Sequence, residues 1–251
     1  MLKIERQNLI ENEIKKTGII RVSEITNRLN VTEMTIRRDL KELEEKGVLK
    51  RIHGGAKCLG DFPLKEYSHN EKRSKNIEEK KQIAKKIASM IDINDTVFLG
   101  PGTTIELVAE YISGKDCKII TTSYYLFDKL AYIHRPEVIL VGGFFRENTG
   151  AFVGNFANST LSAIRVKKSF IGVNGVFGNG VFTSSEDEGE TQKIILDNSK
   201  FKYFIADNSK IGKEDFYNFY SLDESTGIIT DSLISKEAYD KLSKYTQVIT
   251  G

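Results

Sequence analysis

The chain has 251 residues, 39% of them hydrophobic and 29% charged, with a formal net charge of +2. This length suggests one large domain or two smaller ones, and the apolar content argues against intrinsic disorder. No apolar run approaches the ~20 residues of a membrane-spanning helix, and the charged N-terminus does not resemble a secretory signal. We therefore expect a cytoplasmic protein that makes no membrane contact.

The charge is unevenly distributed along the chain. Residues 1–57 contain 13 Lys and Arg against 9 Asp and Glu, a net charge of +4, whereas residues 58–251 contain 24 against 26. A small basic region before a slightly acidic body indicates a polyanionic partner for the basic region.

Cys58 and Cys117 are far apart, and His53 near Cys58 makes only one pair, whereas zinc requires four ligands. We expect free thiols, no metal site and no cofactor.

Residues 1–57 have the pattern of three helices followed by a strand, a turn and a second strand. The first helix ends at residues 17–18, Thr32 caps the third, and residues 48–52 alternate as a strand does. The apolar stripes of the three helices are formed by Leu2, Arg6, Leu9, Ile10 and Ile14, by Val22, Ile25 and Leu29, and by Ile36, Leu40 and Leu43. The order predicts a helix-turn-helix with a wing.

Polar and cationic side chains cover the side of the third helix that its apolar stripe leaves exposed. In a helix-turn-helix this helix lies in the major groove, where arginine binds guanine O6 and N7 or clamps a phosphate. Hydroxyls in the first turn and cations on the wing are suited to phosphate. The candidate DNA-binding residues are Thr32, Thr35, Arg37, Arg38, Lys41, Arg51 and His53. The alternative is a small three-helix domain with a solvated charged face.

The rest of the chain changes character twice. Residues 58–76 contain Pro, Gly and many charges, which is typical of a linker, and a helix with Ile83, Ile87, Met90 and Ile91 follows. From residue 95 the apolar runs TVFL, KIIT, EVILV, SFIGV, KYFIA, GIIT and QVIT alternate with helical stretches such as 104–112 and 125–132. This pattern predicts a Rossmann-like parallel sheet over 77–251, covered on both faces.

Small and polar residues follow several of these strands, at the edge where such sheets bind ligands. Glycines allow close approach to the backbone, hydroxyls donate hydrogen bonds, and a helix N-terminus favours an anion. The candidate effector-binding residues are Gly102, Thr103, Thr104, Thr122, Ser123, Gly142, Gly143, Arg146, Asn174 and Lys210. Taken singly they are equally typical of turns, helix caps and surface cations; together they predict a phosphate site.

The string VTEMTIRRDLKELEEKGVLKRIHGGA resembles the signature of the DeoR family of bacterial transcription regulators, in which a TIRRDL core, a leucine-spaced helix and an HGGA wing occur in this order. The resemblance implies a helix-turn-helix at about 20–39, with Thr35, Arg37 and Arg38 in the recognition region. Residues of about 77–250 resemble the sensor domain of that family, which is similar in fold to ribose-5-phosphate isomerase.

Those isomerases have carboxylates at the end of the fourth strand, where this chain has Asn174 and Gly175. General acid–base catalysis needs a group that exchanges a proton near pH 7, so the resemblance implies a site that binds a sugar phosphate without converting it. The alternative is a sugar-phosphate isomerase with a DNA-binding tail, because Glu186, Asp187 and Glu188 could serve as acid and base.

The segments IEEKKQIAKK, GPGTTIELVAEYI, AFVGNFAN, TSSEDEGETQ and KIGKEDFYNFYSL are similar to the branch of the family that controls lactose and galactose use and responds to tagatose 6-phosphate. The likeness implies a repressor that a phosphorylated sugar releases from double-stranded operator DNA. Tagatose 6-phosphate is the favoured effector and a fructose phosphate the alternative. We expect a homo-oligomer, because half-sites ~34 Å apart require paired DNA-binding domains. An activator or architectural DNA-binding protein with a vestigial pocket is a third possibility.

Overall fold

The computed structural model describes residues 3–17, 19–29, 31–52, 54–58, 66–134 and 136–251. The chain divides into two compact units, Met1–Glu66 and Tyr67–Gly251. The second unit thus includes the last ten residues of the segment predicted as a linker. The candidate DNA-binding residue His53, and Leu2 of the first predicted stripe, lie outside the described residues.

In its described residues, the first unit consists of three helices and a three-stranded antiparallel sheet. Its elements are α1 (Lys3–Thr17), β1 (Ile19–Arg21), α2 (Val22–Leu29), α3 (Glu33–Glu45), β2 (Leu49–Ile52) and β3 (Gly55–Cys58). The helix-turn-helix is α2 and α3, and the wing is the β2–β3 hairpin, to which β1 adds an unpredicted third strand. A Cβ on Gly55 would lie 2.0 Å from the carbonyl oxygen of Ile20, so only glycine allows β3 to approach β1 this closely.

The core of the first unit follows the predicted stripes of α2 and α3 and corrects that of α1. Ile36, Leu40 and Leu43 belong to one buried cluster with Ile10 and Ile14. Leu9, however, is 44% exposed. The inward face of α1 runs through positions 7, 10 and 14, and residue 9 lies about 100° away from residue 10 around the helix.

The second unit is an α/β fold. Its strands are β4 (Thr96–Leu99), β5 (Lys118–Thr121), β6 (Glu137–Leu140), β7 (Phe144–Arg146), β8 (Ala151–Val153), β9 (Val166–Gly172), β10 (Gly175–Phe177), β11 (Gly180–Thr183), β12 (Ser199–Ile205), β13 (Tyr217–Ser221), β14 (Gly227–Thr230) and β15 (Gln247–Thr250). Its helices are α4 (His69–Arg73), α5 (Ile77–Met90), α6 (Tyr124–Leu130), α7 (Asn155–Ser162), α8 (Glu186–Asp197) and α9 (Lys236–Leu242), with 3-10 helices at Ile105–Glu110, Asn208–Lys210 and Leu222–Glu224.

Seven of these strands form a parallel sheet in the order β15-β14-β12-β9-β4-β5-β6. Every neighbouring pair is parallel, and the seven strands are those that the apolar runs predict. Successive residues of β4 enter different cores: Val97 and Leu99 pack on one face of the sheet and Phe98 on the other. The predicted parallel α/β architecture, with both faces covered, is therefore confirmed.

Helices cover the two faces of this sheet. Residues of α5 and α6 belong to the core on one face, and residues of α7, α8 and α9 to the core on the other. The stretch predicted as a helix over 104–112 is instead the short 3-10 helix Ile105–Glu110, a form that occurs in short segments. In the described part of the chain, no helix combines the length and apolar character needed to cross a membrane.

Two smaller sheets and one short helix complete the second unit. Strands β7 and β8 form a hairpin, and β10, β11 and β13 form a three-stranded sheet. Helix α4 lies within the segment predicted as a linker and begins at a capping box, in which Ser68 and Glu71 bond to each other's backbone N–H. These elements have three to five residues each, too few for a clear periodic signal.

The strand order reverses between β4 and β9. From β4 the chain adds β5 and β6 on one side, and from β9 it adds β12, β14 and β15 on the other. In open parallel sheets, ligands bind outside the carboxyl ends of the strands at such a switch point. Residues 100–104 and 173–174 follow the two strands that meet there.

Candidate DNA-binding surface and candidate effector cavity

Helix α3 exposes a face made of Met34, Arg38 and Lys41, which we call the recognition face. At 100° per residue, Arg38 lies about 200° around the helix from the buried Ile36. Its side chain is 78% exposed, and Met34, one turn earlier, is 81% exposed. The structure therefore separates Arg38, on the far side from the core, from Arg37 on the flank of the helix.

Met34 is absent from the residues that the sequence suggested. An apolar side chain on the exposed side of a recognition helix can contact the C5-methyl group of thymine. The sequence feature that could have identified Met34 is its position among the polar residues of α3, outside the apolar stripe of that helix.

Exposed ion pairs restrain the cations of α3 only weakly. Such pairs contribute about 0–1 kcal/mol, so each cation can exchange its carboxylate for a phosphate or a base edge at small cost. The pairs are Arg37–Glu33 at 3.2 Å, Arg38–Glu42 at 3.7 Å and Lys41–Glu45 at 3.9 Å.

The wing is fastened to the end of α3 through Arg51. The backbone N–H and the Nε of Arg51 donate to the Glu44 carboxylate at 2.8 and 2.6 Å. These hydrogen bonds, the backbone one first, lower the pKa of Glu44. Arg51 is thus held beside the recognition helix while its side chain remains 45% exposed.

Asp39, the aspartate of the TIRRDL string, is buried and does not face solvent. Arg6 Nε lies 2.5 Å from its Oδ2, and Gln7 Nε2 approaches its Oδ1 at 3.5 Å. The hydrogen bond to Asp39 raises the pKa of the Arg6 guanidinium. This pair joins α1 to α3, which gives Arg6 a role that its position on a predicted apolar stripe does not reveal.

Thr32 closes the N-terminus of α3. Its hydroxyl accepts a hydrogen bond from Thr35 N at 3.3 Å and lies 2.9 Å from the Thr35 hydroxyl. The first-turn amides and these two hydroxyls are the groups of α3 best suited to contact a phosphate.

We expect Thr32→Ala to lower the free energy of unfolding of the DNA-binding unit by about 1 kcal/mol, because the N-cap is lost. Thr32→Asp should keep that stability, because aspartate is also a good N-cap, but should weaken DNA binding because its carboxylate repels phosphate. Urea unfolding and fluorescence anisotropy with duplex DNA measure the two effects. Equal loss of DNA binding in both variants, with equal loss of stability, would contradict a phosphate-facing position.

The switch point of the sheet contains a cavity of about 50 Å³. Five of the ten residues predicted to bind an effector line it, namely Gly102, Thr103, Thr104, Asn174 and Lys210. Gly102 has φ +137°, which other residues rarely adopt. Because the 3-10 helix after Thr104 has only six residues, the expected attraction of a helix N-terminus for an anion is weak here, and the cations must supply most of it.

The other five predicted residues do not line this cavity. Thr122 and Ser123 follow β5, where Ser123 caps α6 by accepting from Leu126 N at 3.2 Å. Gly142 and Gly143 follow β6, and a Cβ on Gly143 would lie 2.6 Å from the carbonyl oxygen of Val153. Since β5 and β6 extend to one side of β4, their ends lie away from the switch point. Arg146 binds Glu188, which does line the cavity, at 2.6 Å.

Lys72 and Lys210 line the cavity and make it cationic, and Lys80 lies near enough to affect the pKa of Lys210. Lys210 Nζ donates to the carbonyl oxygen of Val173 at 2.6 Å, and no carboxylate of the described residues lies within ion-pair distance of it. Burial lowers the pKa of Lys210 to about 8; Asp207 opposes that shift, whereas the charges of Lys72 and Lys80 add to it. Burial also lowers the pKa of Lys80. An anion in the cavity would stabilise the ammonium groups of both Lys72 and Lys210.

Ten of the lining residues are absent from the predicted effector-binding set, and six of these are polar or charged: His69, Lys72, Thr149, Thr183, Glu188 and Gln192. Lys72 Nζ donates to Asn174 Oδ1 at 3.2 Å. His69 is buried, stacks on the Tyr125 ring with the ring centroids 3.8 Å apart, and lies 2.8 Å from Glu106 Oε1. The capping-box spacing of Ser68 and Glu71 is the sequence signal that would have identified the helix carrying His69 and Lys72.

A winged helix-turn-helix unit with an exposed cationic face, followed by an α/β unit with a cationic cavity at its switch point, defines a two-domain, ligand-sensing DNA-binding protein. The profile of the DeoR-like helix-turn-helix domain matches residues 6–61, and that of the DeoR C terminal sensor domain matches residues 75–232. The chain belongs to the DeoR family.

Curated relatives match over almost the whole chain. The lactose phosphotransferase system repressor of Streptococcus mutans serotype c is 47% identical over 251 residues, which is 99% of this chain and 100% of the relative. The repressor of the same name from Staphylococcus aureus is 43% identical over the same shares. Among solved structures, ribose 5-phosphate isomerase A from Methanocaldococcus jannaschii is 17% identical, with a TM-score of 0.41 and coverage of 54% of this chain and 55% of that one.

Proposed function

We propose that this chain is a cytoplasmic transcription repressor of a lactose- or galactose-catabolic operon, released from its operator by a phosphorylated sugar. The observation that carries the proposal is the cavity at the switch point, where Lys72 and Lys210 converge with Thr103. Two ammonium groups and a hydroxyl that line one cavity are suited to a phosphate group. The repressor name of the relatives supports the DNA-binding role.

Tagatose 6-phosphate is the effector we favour, because lactose use is in the name of the matched relatives and because the likeness noted from the sequence implies that sugar. A fructose phosphate is the alternative. The repressor binds as a homo-oligomer in this proposal, since operator half-sites one helical turn (~34 Å) apart need two recognition helices.

The titratable groups of the cavity favour binding over catalysis. Asn174 has no proton to exchange near pH 7. Glu188 Oε1 accepts hydrogen bonds from Arg146, at 2.6 Å, and from Thr149, and His69 Nε2 is directed at Glu106. Glu188 and His69 are thus engaged with protein groups, which supports a regulator over an isomerase.

The test is a titration of sugar phosphates against the complex of the full chain with an operator selected from random duplex DNA. We expect tagatose 6-phosphate to lower DNA affinity about 5- to 150-fold, the usual range of allosteric coupling, and unphosphorylated tagatose to have no effect. An operator affinity that no sugar phosphate changes would rule out the effector. Conversion of aldose phosphates to ketose phosphates by the purified chain would favour the isomerase.

A further inference from the structure

Helix α4 separates two cavities of the second unit. Its residues His69 and Lys72 line the inner cavity of about 50 Å³, and Asn70 and Arg73 line an outer groove of about 440 Å³. Thr103 lines both. The helix is therefore a partition, with the predicted phosphate site on one side and an open groove on the other.

The inner cavity is too small for the ligand of the proposed function. A water molecule needs ~10–15 Å³ of such volume, so the cavity accommodates a few waters, whereas pockets for small molecules measure ~300–1,000 Å³. The outer groove has the required volume and also has cations, Lys81 and Lys129, among its lining residues. A sugar phosphate can therefore reach Lys210 only if the inner cavity and the outer groove join. The element that lies between them is α4.

The contacts that hold α4 in place are mostly polar. The helix has five residues, and His69 is its one buried residue. Its backbone N–H donates to the carbonyl oxygen of Asn148 at 2.8 Å, and Lys72 donates to Asn174 at 3.2 Å. Such a short helix is marginal by itself and depends on its capping box and on the contacts of His69 with Tyr125 and Glu106.

We propose that α4 is the gate of the effector site. In the closed state Lys72 is bound to Asn174 and α4 keeps the inner cavity small; in the open state the cavity and the groove join, and Lys72 exchanges Asn174 for the phosphate of the ligand. The inference rests on the proposed function, because a phosphorylated ligand drives the exchange. A ligand that binds only the open state shifts the population toward it.

The test uses the N-cap serine of α4 and a matched serine elsewhere in the same unit. Ser68→Ala removes the N-cap of α4, and Ser235→Ala removes the N-cap of α9, whose hydroxyl accepts from Ala238 N at 3.2 Å. Weakening the closed state should tighten the apparent affinity of the full chain for tagatose 6-phosphate about fivefold in Ser68→Ala. Calorimetric titration should find Ser235→Ala unchanged. Equal affinities for both variants would overturn the gate.

Amide hydrogen exchange of the wild-type chain provides a second readout. On addition of tagatose 6-phosphate, amides of residues 69–73 should exchange faster while those of residues 100–104 exchange more slowly. Slower exchange in both segments would mean that α4 closes over the ligand, and would overturn the inference while leaving the proposed function intact. If neither sugar phosphates nor inorganic phosphate bind the wild-type chain at all, the proposed function fails, and the gate fails with it.

Discussion

Arg38→Ala should lower the affinity of the full chain for its operator about 5- to 150-fold, which corresponds to ~1–3 kcal/mol for an arginine that binds a base edge. The physical reason is the position of Arg38 at the centre of the recognition face, where its side chain is 78% exposed. Its ion pair with Glu42 is long, at 3.7 Å, and therefore holds the guanidinium weakly. Arg37 lies on the flank and pairs with Glu33 at 3.2 Å, so Arg37→Ala should also weaken binding, but less. Fluorescence anisotropy with labelled operator measures both.

Two further variants separate base recognition from general charge attraction. Lys41→Ala should weaken specific and random duplexes alike and reduce the salt slope by about 1, as a phosphate contact does. Arg165→Ala removes the same charge from the second unit, where Arg165 donates to the carbonyl oxygen of Ser162, and should leave operator binding unchanged. An Arg38→Ala variant with undiminished preference for operator over random DNA would show that Arg38 does not read a base.

The first unit could be predicted well because its signals are local. The apolar stripes of α2 and α3 repeat within a few turns, and Thr32 caps α3 as expected. Strand β1 has three residues, which is too short for a period-2 pattern to stand out. The Arg6–Asp39 ion pair joins residues 33 positions apart, so nothing in the local sequence identifies it.

The parallel sheet could also be predicted, whereas the set of residues around its cavity could be predicted only in part. Each apolar run identifies a strand, but the order of the strands in the sheet depends on the crossover connections between them. The sequence of a single strand contains no information about those connections. The polar residues after β5 and β6 therefore had the same appearance as those after β4 and β9. Thr122 and Gly143 contact β8 of the hairpin through their backbones, whereas Thr103 and Asn174 line the cavity at the switch point.

Helix α4 shows a second reason why sequence composition can give a wrong prediction of structure. Its residues are mostly charged, and only His69 is buried, so composition favours a linker over a folded element. What makes the segment part of the second unit is a set of polar contacts to distant residues, such as Lys72 to Asn174. Polar contacts of this kind produce no hydrophobic periodicity, so they cannot be predicted from the sequence pattern.

Lys210→Met should weaken the binding of tagatose 6-phosphate by about tenfold or more, because a hydrogen bond between two charged groups contributes ~1.5–3 kcal/mol. Operator binding without sugar should remain, since Lys210 lies in the second unit, behind Val173 at the end of β9. Lys213→Met is the matched control, because Lys213 is an exposed lysine three residues further along the chain. Titration calorimetry with both variants, and operator binding with and without sugar, measures the separation.

The pH dependence of sugar-phosphate affinity provides a second test of whether Lys210 binds the phosphate. Lys210 has a pKa lowered to about 8 by burial, so its ammonium is largely protonated at pH 7 and largely neutral at pH 9. A phosphate monoester, whose second pKa is ~6, keeps its charge over that range. The affinity of the wild-type chain should therefore fall about tenfold from pH 7 to pH 9, and the fall should be absent in Lys210→Met.

The stability of Lys210→Met decides between a functional and a structural role for this lysine. With a folded pKa below its usual value, the native state binds fewer protons than the unfolded state between about pH 8 and the ordinary lysine pKa of ~10.4. The charge therefore destabilises the unliganded fold at pH 7, and stability rises with pH across that window. Lys210→Met should unfold at a higher urea concentration than the wild type at pH 7 while binding the sugar phosphate more weakly. A variant that loses stability and binding together would indicate that Lys210 supports the structure and does not hold the ligand.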